Sequence, residues 1–579
     1  MENAITFSNL KEDYIKPDSH ADSDYFTLIK KLVASRNQFP RQSDDFVFWQ
    51  AAIDETYRLV EDEIINNNAV PVSPVKFGTS GWRGILGKDV FCKSVSQVTQ
   101  AIIALYQELD TTKELAPELG VNSLAEAKKR GCVIGFDNRF GGLTMARHAV
   151  DILTANGFTV HYAGEATTGT LSSAVLELEA AFSINLTPSH NPLEYGGFKF
   201  NAADAGPAAQ AVTNRITEKA CEIIRHDALV RLQPDNSRIN NINALELWIA
   251  LVRKNQPQHG LDYDRIIDEF SRADDTVVAI DCVHGASRNH IGPLFKGLSS
   301  DRLMLFRADA DPTFGGIAPE PSSANMAQSH QALAARNEPF KLGVIIDPDA
   351  DRIRFTDGAH EIGMNKFGAM AYHYLHEIKN KKGMVAKTVG TSNFANAIAR
   401  SLNEEVFEPP VGFKEFKPVI NKAIVCFEES DGITVIGHTP EKDAYIGLLL
   451  ALDLVMSQKK NLGTYLAEIE EQFGHYYPDR DGVVVSQMGA ELSATLGRLE
   501  KYKAGSPVTV GSESKKIKRV LDIDGRKMIF EDDSWLMIRP SGTEPKVRFY
   551  VESRTEQGKS ALVDAAKKML TEIGLLVNS

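Results

Sequence analysis

A pattern of apolar strands separated by helical stretches occurs three times in this chain, and it constrains the fold more than any other feature. Strand-helix-strand-helix-strand order predicts a parallel sheet with helices on both faces. The unequal spacing favours three similar domains over a solenoid. The predicted strands cover residues 132–136, 158–162 and 181–186, then 276–280, 303–306 and 342–346, and finally 384–389, 405–407 and 423–427.

The rest of the chain completes a predicted α/β architecture. A length of 579 residues is too great for one core. Beyond about residue 470, short alternating strands predict a smaller C-terminal α+β domain. We therefore expect three similar mixed α/β domains with largely parallel sheets, plus this fourth domain, around a central cleft. The expected boundaries are a helical N-terminal extension at 1–70 and domains at 71–225, 226–358, 359–468 and 469–579.

Composition excludes several classes of protein. The formal net charge of -13 gives no support for nucleic-acid binding, and the basic run at 515–519 is interpreted as a solvated strand face. Five scattered cysteines without a Cys-x-x-Cys pair indicate a reducing cytoplasm and no zinc site. The N-terminus lacks the apolar core of a signal peptide. The most apolar helix, at 445–456, is too short to span a bilayer, so we expect no membrane association.

Polar residues follow the third strand of each repeat, where parallel sheets place their ligands. After the first such strand comes Thr-Pro-Ser-His-Asn-Pro at 187–192. Two prolines forbid a helix through Ser189, so the serine lies on a stiff loop and could be a nucleophile. Read alone, this hexapeptide is also typical of a surface turn, which is a commoner structure for such a sequence than a nucleophile loop.

Three aspartates follow the second of these strands. Asp347, Asp349 and Asp351 alternate, so an extended backbone places their carboxylates on one side. Such a cluster needs a cation, and oxygen-only ligands suit Mg²⁺ or Ca²⁺. A calcium EF-hand is excluded because its sixth position would be Arg352 instead of Gly. An acidic surface turn is the alternative interpretation, but a buried strand leading directly into the motif favours a metal site.

Three further motifs are weaker when read alone. Glu428 and Ser430 follow the third strand and suit sugar hydroxyls, although a helix N-cap is equally consistent with them. The glycine-rich stretch at 77–84 is either a phosphate cradle or a tight loop, and it is not a Walker loop. Near the C-terminus, a guanidinium, two hydroxyls and successive backbone N–H groups suit a phosphate dianion. That motif consists of Arg539, Ser541, Gly542 and Thr543.

Together these motifs resemble the α-D-phosphohexomutase family, in the same order from about residue 77 to the C-terminus. The resemblance implies that Ser189 carries the transferable phosphate and ligates Mg²⁺ together with Asp347, Asp349 and Asp351. It implies catalytic roles for Arg83, His190 and Lys199, and leaves open whether His190 or Lys199 is the general base. The residues it implies for substrate binding are Arg352, Glu428, Ser430, Lys442, Arg539, Ser541, Gly542 and Thr543.

The implied reaction interconverts a hexose 1-phosphate and its 6-phosphate through a 1,6-bisphosphate, with glucose 1,6-bisphosphate as intermediate and activator. The sequence Gly196 to Asn201 is closer to glucose-specific members, whereas Phe427 stands where the sugar loop usually has Gly. The expected partner is a small phosphosugar, and the expected state is a monomer or weak homo-oligomer. The alternatives are a phosphomannomutase or another phosphosugar mutase, a metal-dependent phosphatase, and a non-catalytic sugar-phosphate scaffold.

Overall fold

The N-terminal extension forms three helices that are part of the protein's core. We describe residues 2–17, 19–78, 81–229, 233–541 and 546–576 of a computed structural model. The helices are α1 (Glu2–Tyr14), α2 (Tyr25–Arg36) and α3 (Asp44–Asn66). Asp24 and Ser43 cap α2 and α3 by accepting backbone N–H groups. Apolar residues of α2 and α3, such as Leu28 and Trp49, are buried in one cluster with residues of the region that follows.

The first sheet carries the loop of Ser189. Its strands are β1 (Phe77–Gly78), β2 (Gly81–Ile85), β3 (Cys132–Phe136), β4 (Val160–Glu165), β5 (Phe182–Leu186), β6 (Tyr195–Ala202) and β7 (Ile239–Asn241), in the order β1-β2-β6-β5-β3-β4-β7. Its helices are α4 (Cys92–Glu108), α5 (Ala116–Leu119), α6 (Leu124–Arg130), α7 (Gly142–Ala155), α8 (Thr168–Glu177) and α9 (Gln210–Arg225). Strand β3 pairs in parallel with both β4 and β5, as predicted, and β6 pairs antiparallel with β5.

The second region repeats this arrangement. Its helices are α10 (Ala244–His259), α11 (Tyr263–Arg272), α12 (Ile291–Leu294) and α13 (Ser323–Ala334), and its strands are β8 (Thr276–Asp281), β9 (Leu303–Phe306), β10 (Phe340–Ile346) and β11 (Ile353–Thr356). Strand β8 pairs in parallel with β9 and β10, and β11 returns antiparallel to β10. The three aspartates lie in the tight connection between β10 and β11.

The third region contains the same parallel trio. The short strand β12 (Glu361–Ile362) precedes the sheet of this region, which consists of β13 (Val385–Lys387), β14 (Val406–Phe407), β15 (Val425–Glu428) and β16 (Gly432–Val435). The helices of the region are α14 (Met364–His373), α15 (Phe394–Ser401), α16 (Ala444–Gln458) and α17 (Leu462–Phe473). Strand β13 pairs in parallel with β14 and β15, and β16 is antiparallel to β15. The predicted trio is therefore confirmed, and the added antiparallel strand makes each of the three sheets mixed.

The C-terminal region is an antiparallel sheet with a closing helix. Its strands are β17 (Tyr477–Val484), β18 (Pro507–Val510), β19 (Glu513–Leu521), β20 (Arg526–Phe530), β21 (Trp535–Pro540) and β22 (Lys546–Ser553), and its helices are α18 (Gly489–Gly497) and α19 (Glu556–Glu572). The order is β17-β22-β21-β20-β19-β18. The basic run at 515–519 lies on β19, as predicted. This sheet supplies the expected α+β region, while the exact domain boundaries stay predictions.

The chain forms two units that we describe separately. Unit 1 contains residues 1–256, 261–359 and 438–452, and unit 2 contains 257–260, 360–437 and 453–579. Unit 1 therefore includes the segment that carries Lys442, which is distant in sequence from the loops of Ser189 and Asp347. Among the helices that the structure describes, none is both long and apolar enough to cross a membrane.

Candidate active site

Ser189 lies buried at the carboxyl end of β5 in a strained conformation. Its φ is 59°, a left-handed value that is uncommon for a residue other than glycine. Its backbone N–H donates to Thr187 Oγ1 at 2.8 Å, and the Thr187 hydroxyl donates to Asp137 Oδ2 at 2.7 Å. The loop is therefore held by buried hydrogen bonds and differs from an exposed turn. Strain of this kind persists where the surrounding structure enforces it, and it is frequent at active sites.

Arg139 supports the same loop from the other side, and the sequence analysis missed it. Its guanidinium donates to the carbonyl oxygens of Ser189 at 2.7 Å and Pro192 at 2.5 Å, and also to that of Asn191. Burial lowers the pKa of Arg139, although nearby Asp137 acts against the shift. Asp137 and Arg139 directly follow β3, the parallel neighbour of β5. The sequence analysis considered polar residues only after the third strand of each repeat. Considering those after the first strand as well would have found both residues.

The three aspartates meet the serine inside unit 1. Ser189 Oγ donates to Asp347 Oδ2 at 2.9 Å and lies 3.4 Å from Asp351 Oδ1. One oxygen from each of Asp347, Asp349 and Asp351 can be chosen so that all three lie within 4.8 Å of one another, and all three residues are buried. The tight turn forms because Ala350 adopts a φ of 53°. The sequence prediction that these carboxylates lie on one side agrees with this geometry, but a turn brings them together instead of the expected extended backbone.

Lysines offset part of the negative charge. Lys199 Nζ, on β6, donates to Asp349 Oδ2 at 2.6 Å and to Asp351 Oδ2 at 2.8 Å, and Lys442 Nζ lies 3.4 Å from Asp351 Oδ2. Burial alone would raise the pKa of Asp351, but these lysines hold it well below the usual range. Burial and the two neighbouring carboxylates raise the pKa of Asp347 well above its usual value.

The donor set fits a hard divalent cation. Asp349 Oδ1 is buried and has no hydrogen-bond partner among the described residues. Carboxylate and hydroxyl oxygens without nitrogen or sulfur ligands suit Mg²⁺. Asp347, Asp349, Asp351 and the Ser189 oxygen could therefore hold this ion.

Thr168 is a second residue that the sequence analysis missed. It follows β4, the remaining strand of the first parallel trio, at the start of α8. Its hydroxyl donates to Asp349 Oδ2 at 2.7 Å, and its backbone N–H donates to the Asp349 carbonyl at 2.8 Å. Each strand of the first parallel trio, β3, β4 and β5, is thus followed by a residue that holds either the serine loop or the aspartate turn.

Three cationic or basic side chains lie beside the serine. Arg83 lies on β2, opposite Gly197 of β6, and its buried Nε has no hydrogen-bond partner within the described part of the chain. Burial, followed by Arg352, lowers the pKa of Arg83. Burial, together with Arg352 and Arg83, also lowers the pKa of His190, whose Nδ1 lies 3.4 Å from Ser189 Oγ. The guanidinium groups of Arg83 and Arg352 suit an anionic phosphoryl group.

In unit 2, the loop after β15 is anchored by a carboxylate that the sequence analysis did not single out. Glu429 accepts hydrogen bonds from the hydroxyls of Thr388 at 2.8 Å and Thr391 at 3.0 Å. It lies between the predicted sugar-binding residues Glu428, which is buried, and Ser430, which is half-buried. Thr388 and Thr391 follow β13, the first strand of this repeat. Considering polar residues after first strands would therefore have found them too.

Phe427 explains one departure from the usual sugar-loop pattern. Its side chain is fully buried. A Cβ added to Gly368 of α14 would lie 2.1 Å from the Phe427 ring, so the absence of a side chain at Gly368 makes room for the aromatic ring. The phenylalanine is therefore a core residue that packs against a helix.

Arg539 ends β21 and is partly committed to neighbours in unit 2. Its Nε lies 3.1 Å from Asp524 Oδ2. Burial acts to lower the pKa of Arg539, but Tyr550 and Asp524 outweigh it and leave the value raised. The Ser541 backbone N–H donates to the Lys546 carbonyl at 2.8 Å, next to the paired residues of β21 and β22. The predicted phosphate-binding residues Gly542 and Thr543 lie outside the described residues.

These features define a class of protein. Its members are α/β proteins with three mixed sheets and a fourth, antiparallel sheet, and a buried serine lies beside three carboxylates that could hold a metal ion. Models of the phosphoglucomutase/phosphomannomutase family match four successive segments of this chain. The α/β/α domain I matches residues 74–225, domain II 262–360, domain III 364–473 and the C-terminal domain 493–568. The chain belongs to this family, the α-D-phosphohexomutases, and is an isomerase of the phosphohexomutase type.

Individual relatives agree on the family but differ in the sugar they are named for. The chain is 25% identical over 493 residues to phosphoglucomutase 1 of Drosophila melanogaster, covering 77% of this chain and 87% of the relative. It is 24% identical over 509 residues to a phosphoglucosamine/phosphogalactosamine mutase of Sulfurisphaera tokodaii, covering 85% and 98%. The structure of parafusin, a phosphoglucomutase from Paramecium, in its open form, matches with a TM-score of 0.66 at 22% identity, covering 88% and 98%. That last likeness concerns the fold alone.

Proposed function

We propose that this protein interconverts glucose 1-phosphate and glucose 6-phosphate through a phosphorylated Ser189 and glucose 1,6-bisphosphate. The observation that carries the proposal is the 2.9 Å contact between Ser189 Oγ and Asp347 Oδ2 inside a cluster of three buried carboxylates. A nucleophile placed at a cation site is the arrangement that phosphoryl transfer requires.

The proposed roles follow from the contacts of each side chain. Ser189 accepts and returns the phosphoryl group, and a Mg²⁺ ion held by the three aspartates and the serine oxygen would offset its charge. Arg83 and Arg352 bind phosphoryl oxygens, and Lys199 and Lys442 balance the carboxylates. Of the two candidate bases, His190 takes the proton of the attacking sugar hydroxyl, because Lys199 is held as an ammonium by Asp349 and Asp351. In unit 2, Glu428 and Ser430 bind sugar hydroxyls, and Arg539 and Ser541, with Gly542 and Thr543, bind a phosphate.

Glucose is the proposed sugar because the stretch from Gly196 to Asn201, which forms most of β6, resembles glucose-specific members. A phosphoglucosamine mutase is the second candidate, because some relatives are named for glucosamine phosphates. A phosphomannomutase is the third candidate. Five free cysteines support the cytoplasm as the proposed compartment.

The test of function compares sugars and then removes the nucleophile. Coupled assays on glucose 1-phosphate, mannose 1-phosphate and N-acetylglucosamine phosphates should show the highest kcat/KM for glucose 1-phosphate, without release of inorganic phosphate. Ser189→Ala should lower turnover by at least ~10³-fold, because it removes the proposed nucleophile. Intact-mass measurement should find one phosphate on the active protein and none on this variant.

Ser183→Ala, on the strand β5 that precedes the loop of Ser189, is the matched control and should keep both turnover and the phosphate. Full turnover of Ser189→Ala would disprove the covalent route. Free phosphate as the main product would instead identify a phosphatase, and binding of phosphosugars without turnover would identify a scaffold.

A further inference from the structure

A loop of the second region is held between the N-terminal extension and the support of Ser189. We call residues 309–316 the bridging loop; it follows β9. At the end of α2, Asn37 Nδ2 donates to the Gly315 carbonyl at 2.8 Å, and Arg36 Nη2 lies 3.5 Å from Asp311 Oδ2. Both contacts are within unit 1. The extension therefore touches a segment that is more than 270 residues away in sequence.

The other side of the bridging loop contacts Arg139. The guanidinium of Arg139 lies over the ring of Phe314, 4.8 Å from its centroid, and that ring is fully buried. The same guanidinium donates to the carbonyl of Ser189. Contacts thus run without interruption from α2 through the bridging loop and Arg139 to the nucleophile's backbone.

The bridging loop is strained, so it depends on these neighbours. Phe314, Gly315 and Gly316 have φ values of 53°, 64° and 85°, three successive left-handed residues. Asp311 holds part of the loop by accepting from the Thr313 backbone N–H at 2.8 Å. A Cβ added to Gly316 would lie 2.8 Å from Val33 Cγ1 of α2, which is closer than real Cβ contacts. The glycine is required both by the conformation and by the close approach of the helix.

Helix α3 supports the same place. The ring of Tyr57 stacks on Phe140, with centroids 4.3 Å apart, and Phe140 directly follows Arg139. The Tyr57 hydroxyl is buried without a hydrogen-bond partner among the described residues. Burial raises the pKa of Tyr57, which keeps this hydroxyl neutral beside the charges of Asp311 and Arg139. Lys30 of α2 adds an ion pair to Glu194 at 2.7 Å, just beyond the serine loop.

We propose that the N-terminal extension is a clamp that fixes the distance between Ser189 and the three aspartates. Val33 and Asn37 are its positioning residues, because they press the bridging loop onto Arg139. The bridging loop follows β9 and the aspartates follow β10, and both strands pair with β8, so the sheet carries the position of one to the other. The proposal deepens the proposed function and rests on it, since the fixed distance matters for phosphoryl transfer at a metal.

The test is Gly316→Ala, with Gly297→Ala as matched control. Both glycines have left-handed φ values and belong to the same region, but a Cβ at Gly297 would meet nothing within 4 Å. Only Gly316→Ala therefore pushes against Val33. The readout is the dissociation constant of Mn²⁺ for the dephosphorylated protein. Gly316→Ala should raise it about tenfold, corresponding to about 1.4 kcal/mol, and Gly297→Ala should leave it unchanged.

A double variant separates positioning from general damage. Val33→Ala removes the methyl groups that the new Cβ would meet, so Gly316→Ala with Val33→Ala should bind Mn²⁺ more tightly than Gly316→Ala alone. Asn37→Ala introduces no backbone strain and should raise the dissociation constant about threefold. If Gly316→Ala does not fold, Asn37→Ala decides the question. Wild-type Mn²⁺ affinity in Asn37→Ala and in any folded Gly316→Ala variant would overturn the clamp.

The two proposals fail in different ways. A wild-type protein that turns over no phosphosugar would refute the proposed function, while the Mn²⁺ measurements on the variants would still report on the clamp. If the wild type had full mutase activity and the Asn37→Ala variant bound Mn²⁺ as tightly as the wild type, only the clamp would be refuted.

Discussion

At the scale of single residues, the site combines strain, burial and charge around one hydroxyl. Ser189 is left-handed, and hydrogen bonds from Arg139 and to Thr187 hold it in that conformation. Burial and neighbouring charges shift the pKa values of side chains near Ser189: the pKa of Asp347 is raised and that of His190 is lowered. Clusters of buried, mutually perturbed groups are typical of functional sites.

Asp349 provides a direct test of the metal site. Among the described residues, Asp349 is the only one of the three aspartates with a buried oxygen that lacks a hydrogen-bond partner. Asp349→Asn removes its negative charge. We expect the Mn²⁺ dissociation constant to rise at least about tenfold, because a neutral amide oxygen is a poorer ligand for a hard cation. Calorimetric titration measures it, with Asp357→Asn as a control near the same turn. Activity undiminished in excess EDTA would contradict a metal role altogether.

Arg539 tests the proposed phosphate site of unit 2. Losing a charge-assisted contact to phosphate should cost about 1.5–3 kcal/mol, so Arg539→Ala should weaken phosphosugar binding roughly tenfold to over a hundredfold. Both directions of the reaction should suffer to similar extents, and the variant should depend more on added glucose 1,6-bisphosphate. Steady-state kinetics in both directions measure this, with exposed Arg519→Ala of β19 as control. Loss of one direction only would exclude Arg539 as a ligand common to both half-reactions.

At the scale of elements, a buried lysine joins β20 to the loop after β13. Lys527 Nζ donates to the Val389 carbonyl at 2.7 Å and lies 3.8 Å from the centroid of the Trp535 ring. Burial, together with neighbouring Lys387, lowers the pKa of Lys527 to about 7. The loop after β13 also carries Thr388 and Thr391, which anchor Glu429, so this lysine contacts the segment that supports the predicted sugar loop.

The lowered pKa of Lys527 predicts a pH-dependent stability. An unfolded lysine has a pKa near 10.4, so between about pH 7 and pH 10 the unfolded chain binds more protons at this site than the folded protein. Stability from Lys527 must therefore rise with pH across that window. Relative to Lys527→Met, the wild type should gain on the order of 1–3 kcal/mol between about pH 7 and pH 9.5.

Thermal or urea unfolding at several pH values measures this difference. Lys518→Met, an exposed lysine of β19, is the control and should give a difference independent of pH. A constant or falling difference for Lys527 would mean that the buried ammonium is stabilised by the Trp535 ring and the carbonyl instead of destabilised by burial.

At the scale of the whole molecule, the extension belongs to the core of unit 1. Residues of α2 and α3, including Leu32, Ile53 and Val60, are buried in the same apolar cluster as Val95 of α4 and Ile134 of β3. The family models begin matching at residue 74, so this part of the core lies outside the segments that they match. An appendage that merely covered the surface would leave a complete core behind when removed.

Deleting residues 1–70 should therefore prevent cooperative folding. The deletion exposes the apolar surface that α2 and α3 cover, and such surface favours aggregation. Circular dichroism during heating, together with solubility, measures the effect. Deleting only residues 1–23 is the matched control, because it removes α1 and keeps the Asp24 cap of α2; this shorter protein should unfold cooperatively. Equal behaviour of both truncated proteins would contradict a core role for α2 and α3.

The sequence by itself determined the order of the elements and the chemistry of the main loops. Hydrophobic patterning and proline placement predicted the parallel trios and the loops of Ser189 and Asp347, because strand periodicity and restricted backbone angles act locally. The helical character predicted for residues 1–70 likewise agrees with α1, α2 and α3. What each of these segments contacts is not a local property, and periodicity alone does not indicate it.

Only the tertiary structure decided which distant residues support the site. Arg139, Thr168 and Glu429 carry no motif of their own, and they matter because the sheets bring the ends of neighbouring strands together. The extension showed only amphipathic helices in the sequence, yet folding places Asn37 against Gly315 and Tyr57 against Phe140. Such contacts arise from burial of apolar surface, which favours any complementary partner and leaves its identity to the packing of the whole unit.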